Sequence, residues 1–108
     1  MMMTKRSKEK AALLASDIKV YECGQMPPAG ELEEAPRLER WSTAVRRRGQ
    51  EFVLVVKGDL HRHPEFPDGG DIQTSAVQWF DRKALFCRTI NRLYALGQPA
   101  GDEEGIDT

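Results

Sequence analysis

Between Lys57 and Gly97 the chain carries two apolar runs, each bounded by turn residues, and ahead of them a Pro- and Gly-rich loop that holds both histidines. Short apolar runs punctuated in this way are strand signals. They predict the closing half of a small antiparallel sheet with one specially shaped loop. Nothing in the stretch has the form of a catalytic motif.

The strands can be placed from turn chemistry. Phe52–Val56 is apolar throughout and rich in β-branched residues, which predicts a central strand buried on both faces. Before it, residues 37–48 fit two periods. Leu38, Trp41 and Val45 match a helical stripe, while Trp41, Thr43 and Val45 match one face of a strand. Arg48-Gly49-Gln50 just ahead of the apolar run favours a strand from about Arg40, with Gly49 supplying a positive φ at the turn. Gly58 marks a bulge or the close approach of another backbone. His61–Gly70 is the loop, with Phe66 between two prolines as its anchor. Ile72–Phe80 reads as a third strand with Val77 and Trp79 on one face. Ala84–Asn91 reads as a fourth, with Leu85, Cys87 and Thr89 on one side and Phe86, Arg88 and Ile90 on the other. Leu93, Tyr94 and Leu96 finish the pattern.

Ahead of the sheet, Leu14, Ile18 and Tyr21 fall on one helical stripe that Ala11 extends, with Ser7 as N-cap and Gly24 at the left-handed C-terminal position. QMPPAG (25–30) is a connector, and Glu31–Ala35 makes one helical turn that Pro36 ends. The expected fold is α+β: an N-terminal helix packed on a small four-stranded antiparallel sheet or partial β-barrel. The expected organisation is a disordered basic start (1–6), one domain (7–97) and a disordered acidic tail (98–108).

Length and composition limit what such a domain can do. A chain of 108 residues buries one modest core, and 40% hydrophobic with 31% charged residues suits a soluble globular domain. No apolar run approaches a membrane span, and MMMTKRSKEK lacks the apolar region of a secretory signal, so a cytoplasmic location is expected. Cys23 and Cys87 sit in no metal or redox spacing and read as two buried or half-buried thiols, with a disulfide between the N-terminal helix and a late strand as the alternative.

Three constellations bear on function. His61 and His63 form H-x-H with Asp59, Glu65 and Asp68 nearby, but no third histidine exists and a catalytic zinc needs three protein ligands. Thr74-Ser75 near His63 suggests a nucleophile and base, yet no GxSxG or glycine cluster supports it. The sequence thus points away from an enzyme, a metal or a cofactor, and a small metal-binding or hydrolytic protein centred on His63 is its third reading. Arg46, Arg47 and Arg48, with Trp41 and Arg92, are the candidate nucleic-acid surface; a net charge of -1 gives no global support for it. The leading expectation is a non-enzymatic binding or adaptor module with a protein partner, acting through the sheet or through His61, His63, Phe66 and Asp68. An exposed edge strand could also pair two copies across a two-fold axis.

Trp41, Gly58, His63-Pro64, Asp68-Gly69, Ile72-Gln73-Thr74-Ser75, Asp81, Arg88-Thr89, Arg92, Tyr94 and Leu96-Gly97 form an ordered set. In spacing it resembles a family of small proteobacterial proteins catalogued only as a domain of unknown function. Arg62 stands where that pattern has glycine. The resemblance implies no activity. It implies that His63-Pro64, Asp68-Gly69 and Thr74-Ser75 act together, Asp68 capping the turn, His63 bonding the loop backbone, and Thr74 or Ser75 satisfying the strand start.

Overall fold

The computed structural model describes residues 5–100. Helix α1 spans Lys5–Glu22 and α2 spans Ala29–Glu34. The strands are β1 (Arg37–Arg48), β2 (Glu51–His61), β3 (Gly70–Gln73), β4 (Val77–Asp81), β5 (Phe86–Thr89) and β6 (Leu93–Leu96). The class is α+β with an N-terminal helix, as expected, but the sheet differs from expectation. It has six strands in the order β3-β2-β1-β6-β5-β4. It is mixed, because β1 and β6 run parallel while the other neighbours are antiparallel. It is also open, with no ladder joining its edge strands β3 and β4. A four-stranded antiparallel sheet or partial barrel is therefore ruled out.

Two apolar runs were each read as one strand where the chain makes two. Thr74 Oγ1 accepts the Val56 N–H (3.0 Å) and donates to the Ser75 carbonyl (2.9 Å), ending β3 at a corner. The three residues Thr74–Ala76 then carry the chain to the opposite edge of the sheet. So short a link spans at most about 14 Å, so the sheet must curl strongly. The second run breaks at Thr89. Its Oγ1 accepts the Asn91 and Arg92 N–H groups, closing a tight turn into β6.

The β1–β2 hairpin shows the residue-level logic most clearly. Its loop is Gly49-Gln50, closed by Arg48 opposite Glu51, with Gly49 at φ 64° as a type II′ turn requires at its first position. Further along, Glu39 faces Asp59 and Ser42 faces Lys57, so Arg40 and Trp41 together oppose Gly58. Two residues against one is a β-bulge, and Arg40 takes the left-handed φ of 51°. Glycine suits the position opposite: a Cβ on residue 58 would lie 3.0 Å from the Glu39 carbonyl oxygen and 3.2 Å from Trp41 Cα, so backbone would have to give by a few tenths of an ångström.

The core gathers Leu38, Trp41, Val56, Leu60, Cys87, Tyr94 and Leu96 inside the curl, with Ile72, Val77 and Phe80 packed on it. Trp41 is 2% exposed, donates its indole N–H to the Gly97 carbonyl (2.9 Å) and meets Phe80 edge-on. A register shift between Val77 and Trp79 reverses the facing of β4, so Val77 points to the core while Trp79 turns outward to Tyr21. The two therefore do not share a face. β5 is buried on both sides, with the facing expected: Cys87 inward, Phe86 outward against Tyr21.

Helix α1 covers that outer face. Leu14, Ile18 and Tyr21 form its half-buried to buried stripe, whereas Ala11 is exposed. Asp17 on the same stripe meets Arg88 of β5, Nε to Oδ2 at 3.1 Å. The helix starts at Lys5, ahead of the expected Ser7 cap. It stops as expected: Gly24 at φ 87°, its N–H to Tyr21 O and the Gln25 N–H to Val20 O, the paired bonds of a Schellman motif. The body continues past Gly97, because Trp41 N–H bonds Gln98 O and Ala100 N–H bonds Trp41 O. Residues 1–4 and 101–108 of the expected disordered ends lie outside the described residues.

Candidate functional site

The His61–Gly70 loop is built by local hydrogen bonds. Arg62 adopts φ 64°, so the residue in the glycine position of the motif keeps a glycine-like backbone. Asp68 Oδ1 accepts the Arg62 N–H (2.8 Å), the Gly69 N–H reaches Leu60 O (2.7 Å), and Gly69 itself sits at φ 91°. His63 Nδ1 accepts the Glu65 N–H (3.0 Å). The neutral ring therefore carries its proton on Nε2. Its aromatic neighbours are Phe66 at 4.8 Å and Tyr94 at 6.4 Å between ring centroids. Phe66 lies on the surface, more than half exposed, rather than anchored in the body. His61 ends β2, and the left-handed Arg62 breaks the strand after it, so the two imidazoles are not paired by strand alternation.

Beneath this loop opens a cleft of about 510 Å³. Its floor is Leu60, Ile72 and Tyr94, and its rim holds Lys10, His63, Phe66, Ser75, Asn91 and Arg92, with the Glu65 carboxylate as the one acidic group among them. The far wall is a polar chain: Lys10 Nζ donates to Asn91 Oδ1 (2.8 Å), and Asn91 Nδ2 donates to Ser75 Oγ (2.6 Å). Ser75 keeps its own hydroxyl proton to give. The Arg92 guanidinium forms no ion pair with any described residue. Burial, and then the Arg92 charge, hold the His63 pKa below the usual histidine value against the opposing pull of Glu65. A neutral His63 is a hydrogen-bond donor beside two cations, so the cleft offers donors and positive charge.

His63, Phe66 and Arg92 thus meet in one place. His61 and Asp68 do not line it, and Asp68 serves the loop backbone. Lys10 and Asn91 carry no site signal in the sequence, and Ser75 enters as a hydrogen-bonding wall residue rather than as a nucleophile. Lys10 arrives from a helix 81 positions away in sequence, which no local pattern marks. Thr74 and Ser75 have their oxygens engaged with backbone and Asn91, and neither bonds His63. Among the described residues no three His, Cys, Asp or Glu side chains gather to hold a metal ion.

The arginine constellation separates. Arg46, Arg47 and Arg48 are exposed at the end of the β1–β2 hairpin, which stands out from the body as an arm. Trp41 is enclosed in the core and cannot stack on a base, and Arg92 belongs to the cleft. Phe52, expected inside a central strand, is instead 70% exposed on the arm, directly across from Arg47. Of the two thiols, Cys87 is buried but Cys23 is exposed, and both are free. A second hollow, about 570 Å³, lies between α2 and β6 and is walled by Met26, Leu32, Leu85 and Leu96.

Among the described residues no helix is long and apolar enough to cross a membrane. No family model matches the chain, and neither does any curated protein or solved structure.

Proposed function

We propose that the chain is a cytoplasmic, non-catalytic binding module that receives an anionic group in the cleft beneath the His61–Gly70 loop. One observation carries this: Arg92, without an ion-pair partner among the described residues, Lys10, a neutral His63 and the Ser75 hydroxyl converge on a single hollow floored by Tyr94, where they outnumber the lone Glu65 carboxylate. Cations and hydrogen-bond donors around an apolar floor suit a phosphate or carboxylate attached to a flat or apolar body. The loop is held by its own backbone bonds before any ligand arrives, which lowers the ordering cost of binding. The neighbouring hydroxyls are tied to backbone and amide groups rather than to His63, which favours binding over catalysis. On this basis the protein partner expected from the sequence would present an acidic or phosphorylated side chain.

Amide spectra titrated with inorganic phosphate and with adenosine monophosphate test the proposal. Shifts at Ser75, Arg92 and Tyr94 are expected, with affinity about tenfold weaker in Arg92→Gln. No movement of those amides at about 10 mM of either probe, a concentration that detects even feeble binding, would end it.

A second reading is binding of single-stranded nucleic acid by the arm, because an exposed Phe52 lies across from Arg47, with Arg46 and Arg48 on the other face of the same ribbon, combining a stacking face with cations for phosphates. Three contacts would give a salt dependence with a log–log slope near -2, about -0.7 for each single-strand phosphate neutralised. Absence of binding to an oligothymidylate at low salt would dismiss it.

A further inference from the structure

Strand β1 has two edges. One is paired with β2 from Arg37 to Arg48. The other meets the end of the described chain in one constant parallel register: Arg37 with Ala95, Leu38 with Leu96, and Trp41 with Pro99. Trp41 spends both backbone groups on this edge, its N–H on Gln98 O (3.3 Å) and its C=O on the Ala100 N–H (2.8 Å). Backbone groups alternate between edges along a strand, so Thr43, Val45 and Arg47 present theirs to the same side. The hairpin agrees: a two-residue loop is closed by the pair Arg48–Glu51, which turns residues 48, 46 and 44 toward β2 and leaves 47, 45 and 43 facing away. Among the described residues nothing pairs with Thr43, Val45 or Arg47 on that edge. An open strand edge of this length is a template for another strand.

The residues next in sequence suit it. After Ala100 come Gly101, Asp102, Glu103, Glu104, Gly105, Ile106 and Asp107. Continuing the observed register sets Glu103 beside Val45, Glu104 beside Arg46 and Ile106 beside Arg48. Glu104 then lies diagonal to Arg48, and Glu103 diagonal to Arg47, within reach of long side chains. Among the described residues the partners of Arg46 and Arg47 are uncharged, the Gln73 side-chain oxygen and the Gly49 carbonyl. We propose that the Ser42–Arg48 edge of β1 is a strand-acceptor site whose occupant is the chain's own acidic segment, residues 101–107. Docked there, the segment satisfies the edge, neutralises the arm and bars both a second copy and a polyanion until it is displaced. This stands independently of the anion cleft, whose lining includes none of Ser42–Arg48.

Amide hydrogen exchange on the full chain at low ionic strength tests it. Val45 and Arg47 amides are expected to exchange about tenfold or more slowly in the wild type than in Glu103→Lys/Glu104→Lys, since a docked strand must open first. The charge exchange Glu104→Arg with Arg46→Glu should restore the protection that Glu104→Arg alone removes. Val56 and Cys87 amides report that each variant is folded. Equal exchange at Val45 and Arg47 in wild type and the lysine variant overturns the proposal. Protection that rises with protein concentration overturns it too, by identifying a second copy as the occupant.

Discussion

Removing the carboxylate of Asp17 should unseat helix α1 and, with it, one wall of the cleft. The Arg88 side chain is only 5% exposed, and Asp17, at 31%, is its one carboxylate partner among the described residues. Breaking a buried pair by deleting one partner typically costs about 3–5 kcal/mol, because the remaining charge stays buried and uncompensated. Two features of this pair lower that figure. Arg88 Nη1 retains a bond to the Thr89 carbonyl (2.6 Å), and the partly exposed Asp17 side admits water to the guanidinium. Asp17→Ala should therefore cost about 2–3 kcal/mol, placed below the fully buried range for those reasons. Urea unfolding measures it directly: with an m-value of about 1–1.5 kcal/mol/M for a domain this size, the midpoint falls by about 2 M while the slope stays fixed. Arg88→Met, which keeps an apolar stem and buries no charge, should cost less, and the double variant should match Arg88→Met alone. A second readout comes from Tyr21, one of two tyrosines, whose pKa burial pushes up to about 12 with further help from Asp17. Removing Asp17 should bring the Tyr21 value down in an ultraviolet titration. If Asp17→Ala shifts the midpoint by less than about 0.3 M, the pair is behaving as an exposed one and the account of how α1 is held is wrong.

Other expectations follow from single contacts. Gly58→Ala forces a Cβ against the Glu39 carbonyl and Trp41 Cα, both backbone, and should cost about 1–3 kcal/mol by thermal or urea unfolding. In native protein a disulfide reagent should modify exposed Cys23 quickly and leave Cys87, whose thiol burial pushes up to about 12, unmodified until unfolding. His63 has a folded pKa below its unfolded value, so its neutral form adds stability that is complete above pH ~6.5 and is lost as pH falls through the folded value. Arg92→Gln removes a cation that disfavours the imidazolium, so the His63 resonance should titrate at higher pH in that variant; an unchanged titration would mean the two rings of charge do not face each other. Raised pH acts on Tyr21 with the opposite sense: stability present below pH ~10 is lost as pH climbs toward 12.

What the sequence revealed was local chemistry. The Schellman end at Gly24, the turn at Gly49, the close approach at Gly58 and the loop bonds of His63 and Asp68 each depend on a few neighbouring residues, and each was legible. The strand count was not. Thr74 and Thr89 end strands by side-chain bonds to backbone groups, and in sequence they look like ordinary β-branched strand residues. The parallel pairing of β1 with β6 was hidden for another reason: it is set by Trp41 anchoring to Gly97, a contact across 56 positions. Facing was misread at Trp79 because a one-residue shift reverses every later side chain. For the site, His63 was visible as a loop residue and Arg92 only as part of a basic sheet surface, whereas their joint use with Lys10 depends on where α1 docks.

The bulge at Arg40 and Trp41 accounts for the division of the molecule into a body and an arm. Before it, β1 keeps Leu38 in the core, and Trp41 completes that wall by turning its indole to Gly97. A bulge sharpens the right-handed twist of a two-stranded ribbon and bends it away from its neighbours. Past it, the face that bears Trp41 and Val56 continues through Leu54, Val45 and Phe52, yet Val45 is 61% exposed because β6 and β4 are too short to follow. The same twist carries the Ser42–Arg48 edge clear of the body and leaves room for one more strand at the established register. Straightening the ribbon should therefore affect both halves together. Deleting Arg40, which removes the extra residue opposite Gly58, would rotate Trp41 out of the core or reverse the facing of Ser42–Arg48. Either result is visible as a large red shift of tryptophan emission or as loss of the Val45 and Arg47 amide protection. A deletion variant that keeps wild-type emission, stability and arm protection would show that the bulge is incidental to how the two halves are set.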